Sequence, residues 1–327
     1  MSKRVVSLLG VQSGEDRLVT LMFLHSVFMG GANVFVTTVA GALFLTAFSS
    51  DSIPYTYMAA AAVSVLVGLI LSRLQNRVPF QTLLVALMWL LFFVTVFFQL
   101  SLWSTQARWL PFGLMVWVTL IYRLHSYEYW ALAGEVFTLR QGKRLYGLVG
   151  SGELGARIFG YGLVPLLVGW LGTSNLLMLA VICLGLNGVL ALRVVHGYGH
   201  QDPASPSHNP VPDKAAPASL RGRYSLLILA TAFLTILIYQ LVDFTFYQQI
   251  QTRFQDADAI AGFIGTVFSV VYTSAFLFKL LLSGRILQRF GIRPAMLLLP
   301  VAIGLAALSI LVGSAFGALS LVFWLGM

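Results

Sequence analysis

Apolar runs close to the ~20 residues that a bilayer core demands recur along the whole chain, separated by short polar turns. They predict helices at 17–48, 54–74, 79–103, 109–138, 143–171, 175–195, 224–250, 257–284, 293–313 and a last one starting near 316. Period-two alternation is absent, so the expected spanning elements are helices rather than barrel strands. Turns fall at Ser49-Ser50-Asp51-Ser52, Asn76-Arg77-Val78-Pro79, Gly172-Thr173-Ser174 and Gly291-Ile292-Arg293-Pro294, each rich in helix breakers. The first and fourth predicted helices exceed the bilayer and must tilt, kink or extend beyond it.

One stretch breaks the pattern. Residues 197–223, with five prolines among Ala, Ser and polar residues, cannot bury a core and read as a flexible linker. The chain thus divides into a six-helix bundle (1–196), the linker (197–223) and a partial second bundle (224–327). The segments after the linker echo those before it. VLVGLILSRLQNRVPFQTLLVAL on the second and third helices parallels FLFKLLLSGRILQRFGIRPAMLLL on the eighth and ninth. Six helices, a linker and a repeat in the same orientation describe a transporter of two parallel-related halves. The chain stops at Trp324-Leu325-Gly326-Met327, inside an expected tenth span. That predicts either a truncated chain or a membrane-protein partner covering the open end, since carbonyls left in lipid are costly.

Composition agrees. At 58% hydrophobic and 9% charged, with mean hydropathy +0.87, the chain lies far from soluble domains, where about 25% charged residues is usual. The net charge of +9 raises the question of nucleic acid, but its distribution answers it. With the N-terminus inside, fifteen Lys and Arg fall on the cytoplasmic side, only Arg108 and Arg253 on the other, and Arg123, Arg157 and Lys279 at membrane depth. This is the positive-inside pattern of an inner-membrane protein, so no nucleic-acid partner is expected. The start, MSKRVVSLLGVQSGEDR, lacks a signal-peptide cleavage site and reads as a cytoplasmic lead-in. Cys183 lies in an apolar run and reads as a buried structural thiol.

The candidate chemistry concentrates between Tyr122 and Gly162. Glu128 and Glu135, seven residues apart, share a face of the fourth helix, with Arg123 slightly off it. They read as an ionisable track that binds cargo or carries protons, or, for Glu135, as a solvated partner of Arg140 or Lys143. Glu153 and Arg157 form an i,i+4 pair on the fifth helix, either a structural bridge or a cargo site. Gly150-Ser151-Gly152-Glu153-Leu154-Gly155 matches the dinucleotide pattern G-x-G-x-x-G. It lies within an apolar helix without a βαβ unit, so Gly147, Gly150, Gly155, Gly160 and Gly162 read as close-packing positions instead. On the seventh helix Asp243 sits alone among aromatics, a candidate for proton coupling. Lys279 reads as snorkelling, and His25 as a bonded core residue. His196, His200 and His208 are too loosely spaced for a metal tract. No Ser-His-Asp set, metal cluster or Walker sequence appears, so neither an enzyme nor a cofactor is expected.

Three stretches resemble known families. The turn from Gly284 to Arg293 looks like the loop signature of the major facilitator superfamily, with Gln288 where that signature prefers Asp and a degenerate copy at 73–78. Gly134-Glu135-Val136 through Lys143-Arg144-Leu145-Tyr146 and the glycines to Gly152 resembles the helix 4–5 signature of the bacterial and plastid ATP/ADP translocases. Leu241-Val242-Asp243-Phe244-Thr245-Phe246 is similar to that family's Leu-Val-Glu-x-x-Trp-Lys segment. The resemblance implies acidic site positions at Glu135 and Asp243 and a basic-aromatic turn at Lys143, Arg144 and Tyr146, which together with Arg140 reads as a cytoplasmic gate. Departures are Gly134 for Asn, Tyr247 for Lys, and only His25 on the first helix, where the family has a cation.

The expectation is an all-α polytopic membrane protein of the major facilitator type, with about nine to ten spans. It carries a small-molecule solute by alternating access, and nucleotide is the cargo the resemblance implies. Its site would comprise Arg123, Glu128, Glu135, Glu153, Arg157 and Asp243, looking into a wet hollow between two bundles. Three cations against four acids at membrane depth suit a polyanion only if the acids are protonated or Lys143 and Arg144 reach inward. Proton-coupled movement of another solute and a non-transporting membrane scaffold remain as alternatives.

Overall fold

A computed structural model describes residues 11–12, 14–75, 77–105, 107–198 and 222–283. Their regular structure is helical throughout: α1 (Asp16–Ala47), α2 (Ile53–Leu74), α3 (Phe80–Ser104), α4 (Trp109–Val136), α5 (Leu139–Leu171), α6 (Thr173–Tyr198), α7 (Arg223–Arg253) and α8 (Ala257–Phe278). A 3-10 turn, Ser50–Ser52, precedes α2, and a π turn, Lys279–Ser283, follows α8. Most of the linker with His200 and His208, the Gly284–Arg293 turn and the ninth and tenth expected helices lie outside the described residues.

The boundaries follow local chemistry. Pro54 sits at the start of α2, where its missing N–H is no loss. Gly172, with φ +75°, lets the backbone leave α5 in a conformation other residues avoid. The expected start of α5 at 143 is corrected to Leu139 by a capping box. The Thr138 hydroxyl accepts from the Gln141 N–H, and the Gln141 side-chain oxygen accepts from the Thr138 N–H at 2.9 Å. The pattern Thr-x-x-Gln that does this is visible in the sequence.

Helix α1 is the axis of the first compact unit, residues 1–266. It packs most extensively on α6 and α5 and then on α4, while α3 fills against α6 and α4, and α2 against α4. Its most apolar stretch is 67% buried, as a helix apolar on every face must be. The outward faces are equally apolar: Trp170, Phe159, Met58 and Leu227 stand at least two-thirds exposed. Water would not tolerate so much exposed apolar surface, and lipid does. Seven of the helices are long and apolar enough to cross a membrane. The protein is therefore membrane-embedded. The eighth, α4, is less apolar because it carries the polar positions of the core. Residues 267–283 belong to a second unit.

Alternating helices put Arg17, Arg73, Arg77, Arg140, Lys143, Arg144 and Arg193 near one end of the bundle, called here the basic end. The turns at 48–52, 105–108, 172 and 254–256 mark the far end.

Candidate functional site

Three helices bring polar side chains together inside the first unit. On α4, Ile121, His125, Glu128, Tyr129 and Leu132 fall at helical spacing on the buried face, so the stripe that packs α4 on α1 carries two ionisable groups. His25 of α1 enters from the other side. His25, His125 and Glu128 are all fully buried. Nε2 of His25 lies 3.6 Å from Oε2 of Glu128, and the His25 ring stacks on Tyr129 (centroids 5.4 Å, planes 15° apart) and meets His125 edge-on at 6.4 Å. From α6, the amide nitrogen of Asn187 stands 2.5 Å from Nε2 of His125. With the amide donating, Nε2 accepts and the ring proton sits on Nδ1. Neither carboxyl oxygen of Glu128 and neither ring nitrogen of His25 has a hydrogen-bond partner in the protein.

An isolated charge at this depth costs about 2.5–3.5 kcal/mol even on the lenient insertion scale. Among the described residues, no group of three His, Cys, Asp or Glu is placed to hold a metal ion.

A second polar region joins α7 to the bundle near the far end. The Tyr57 hydroxyl of α2 donates to Oδ2 of Asp243 at 2.6 Å. One turn on, the ring of Tyr247 is buried against Gly41 of α1, where a Cβ would come within 2.9 Å of it. Gln251 acts as a clasp. Its amide donates to the carbonyls of Leu45 and Phe48 at 2.8 and 2.7 Å, and its oxygen accepts from the Ser50 N–H at 2.7 Å. It thereby satisfies carbonyls that the end of α1 would leave open. Asp258 of α8 accepts from both the N–H and the hydroxyl of Thr173. In contrast, every side chain of α7 from Leu226 to Tyr239 is exposed.

The remaining sequence candidates lie apart. Glu153 and Arg157 pair with each other at 2.6 Å, with the guanidinium 5.0 Å from the Tyr122 ring. Glu135 does share the face of Glu128, but the bundle ends below it. It is exposed at the rim of a cleft of about 480 Å³ between α3, α4 and α6, lined also by Phe80, Gln81 and His196. Arg123 is exposed and makes no ion pair among the described residues. Arg140 and Lys143 are exposed, and Tyr146 packs against Gly142, Trp130 and Phe137. The acids and arginines thus occupy separate settings, with Glu128 fully buried and the others at the surface or paired.

Arg144 is tied down at the basic end, reaching both carboxyl oxygens of Glu15 at 2.7 Å. Gln141 adds a bond at 3.0 Å to Glu15, and the Gln12 N–H another at 2.9 Å. Partial burial works against the Glu15 charge. The donors from Gln12, Gln141 and Arg144 outweigh it and hold the carboxyl below the usual glutamate range.

Sequence reasoning missed Glu15, Tyr57, His125, Asn187 and Gln251 as site residues and gave His25 a core role. A lone His or Gln in an apolar run carries no local signal. Only the spacing of His125 to Glu128 (i,i+3) on a buried face pointed to the cluster. No family model matches the chain, and no curated protein or solved structure does.

Proposed function

We propose that the chain is a secondary-active membrane transporter of the major facilitator type, moving a small solute by alternating access with its basic end in the bacterial cytoplasm. The observation that carries this reading is the one-ended attachment of α7. Its far third is held by Asp243, Tyr247 and Gln251, whereas none of the side chains from Leu226 to Tyr239 is buried. A helix clasped at one end and exposed along the other is what a rocking element requires, and this supports a reading in which the basic end opens. Polar clasps suit that task because hydrogen bonds of about 0.5–1.5 kcal/mol net each can be exchanged singly.

The charge placement favours a solute other than a polyanion. Arg157 is matched by Glu153, and Arg144 by Glu15. No converging set of cations forms among the described residues, although a nucleotide wants several. Nucleotide exchange, as implied by the resemblance, is the reading to be tested against it.

The test uses the full chain in liposomes, with Cys183→Ser and spin labels at Ile70 and Leu227, both exposed near the basic end. Two exchanging distance populations are expected, together with uptake of a solute from a labelled panel that includes ADP. One fixed distance and no uptake from the panel would leave the scaffold reading in its place.

A further inference from the structure

We infer that the buried His25–Glu128 pair is a proton-binding site that couples proton movement to the opening of the helix bundle, making the proton a co-substrate. This deepens the transporter reading and rests on it. The pair with one proton is neutral overall, whether the proton sits on the carboxyl or on the imidazole. Without that proton it carries one negative charge. A site with no exposed surface and no protein donor to Glu128 accommodates the neutral total, and the charged one requires water. The packed arrangement of α1, α4 and α6 is therefore the one-proton form. Release of the proton and entry of water belong to an alternative packing.

The surroundings are consistent with that count. From α4, His125 and Tyr129 face the pair, with His125 held by Asn187 of α6. From α5, Glu153 lies within electrostatic reach of Tyr129 but is matched by Arg157. Cys183 of α6 approaches α1 beside Gly31. The buried side chains of α2 and α3 are uncharged. Among the described residues, then, no buried cation fixes Glu128 as a permanent carboxylate. A structural ion pair would show hydrogen-bonded geometry, whereas these groups stand 3.6 Å apart, beyond a hydrogen bond, with unpartnered polar atoms on both sides. The step is a proton transfer only: one proton is taken from one aqueous side, held on the pair, and given up to the other.

The experiment measures the Ile70–Leu227 distance populations in the full chain between about pH 5.5 and about pH 8.5, above the carboxylate range so that Glu15 does not contribute. One proton bound in one form alone changes the population ratio by up to about tenfold per pH unit. Glu128→Gln should abolish that slope and hold the population of acidic pH, and His25→Gln should move its midpoint. Infrared titration of the unmodified chain should show a protonated-carboxyl band that disappears over the same interval, which covers the case of a variant that fails to fold. Two populations with no pH slope, or a slope unchanged in both variants, would overturn the proton site while leaving alternating access intact. A single distance at every pH would overturn both.

Discussion

Replacing Gly152 with alanine tests the packing on which the buried cluster depends. Helices α1 and α5 cross where Gly30 meets Glu153 and Ala156, and Gly152 meets Phe23, Ser26 and Val27. A Cβ on Gly152 would come within 2.7 Å of the Phe23 carbonyl oxygen and 3.0 Å of a Val27 methyl, and would collide with the Ser26 hydroxyl. That hydroxyl donates to the Val149 carbonyl at 2.6 Å and bridges the two helices. All three obstacles belong to α1, one of them its backbone, so relief requires the helices to separate. Overpacking costs about 1–3 kcal/mol, and losing the bridge costs roughly 1 kcal/mol. Higher helix propensity returns about 1 kcal/mol. The net expectation for Gly152→Ala is a destabilisation of roughly 1–3 kcal/mol. Gly147→Ala is the control on the same helix. No atom lies within 4 Å of its Cβ position, so only the propensity term acts and a gain of about 0.5–1 kcal/mol is expected. Reversible unfolding of the full chain in mixed micelles, followed by tryptophan fluorescence, should rank Gly147→Ala above wild type and Gly152→Ala below it. A Gly152→Ala protein as stable as Gly147→Ala would refute the close α1–α5 crossing and, with it, the seating of His25 against Glu128.

Gln251→Ala should loosen the far end of α7 by about 1–3 kcal/mol, because it leaves the Leu45 and Phe48 carbonyls and the Ser50 N–H without their partner. Spin labels across that end should report a wider distance, and an unchanged one would contradict the clasp. Tyr57→Phe and Asp243→Ala remove the two sides of one hydrogen bond. A double-mutant cycle should show coupling of roughly 0.5–3 kcal/mol, and strict additivity would mean that the pair does not act as a unit. Glu15→Gln should lower thermal stability at neutral pH. A carboxyl held below its ordinary value of 4.5 stabilises the fold above that value, and the contribution is lost as pH falls through the lowered one. The gap between variant and wild type should therefore close in acid, and a gap constant with pH would rule out the charged latch.

Apolar runs bounded by Pro, Gly and short polar turns are local signals, which is why the eight described helices fall near their expected positions. The basic turns likewise marked one end of the bundle by chain arithmetic alone. The glycine ladder on α5 was legible as a packing surface but not in detail. Gly150 and Gly160 do meet Trp130 and Val34, Gly147 and Gly155 meet nothing, and Gly152 makes the tightest approach of the set. Which glycine matters depends on the rotation of α5 against α1, and nothing in the residues along one helix records that angle.

By itself, the sequence determined an all-helical membrane-embedded chain and the helix on which polar groups concentrate, because hydropathy and breaker chemistry act within a few residues of each other. Only the tertiary structure decided which polar groups meet. Glu15 and Arg144 are 129 positions apart, and Tyr57 and Asp243 are 186 apart. His25 and Glu128 come together only because α1 is wrapped by α4, α5 and α6. Such encounters are selected by how whole helix faces fit, a property that resides in the packed bundle and in no single stretch of it.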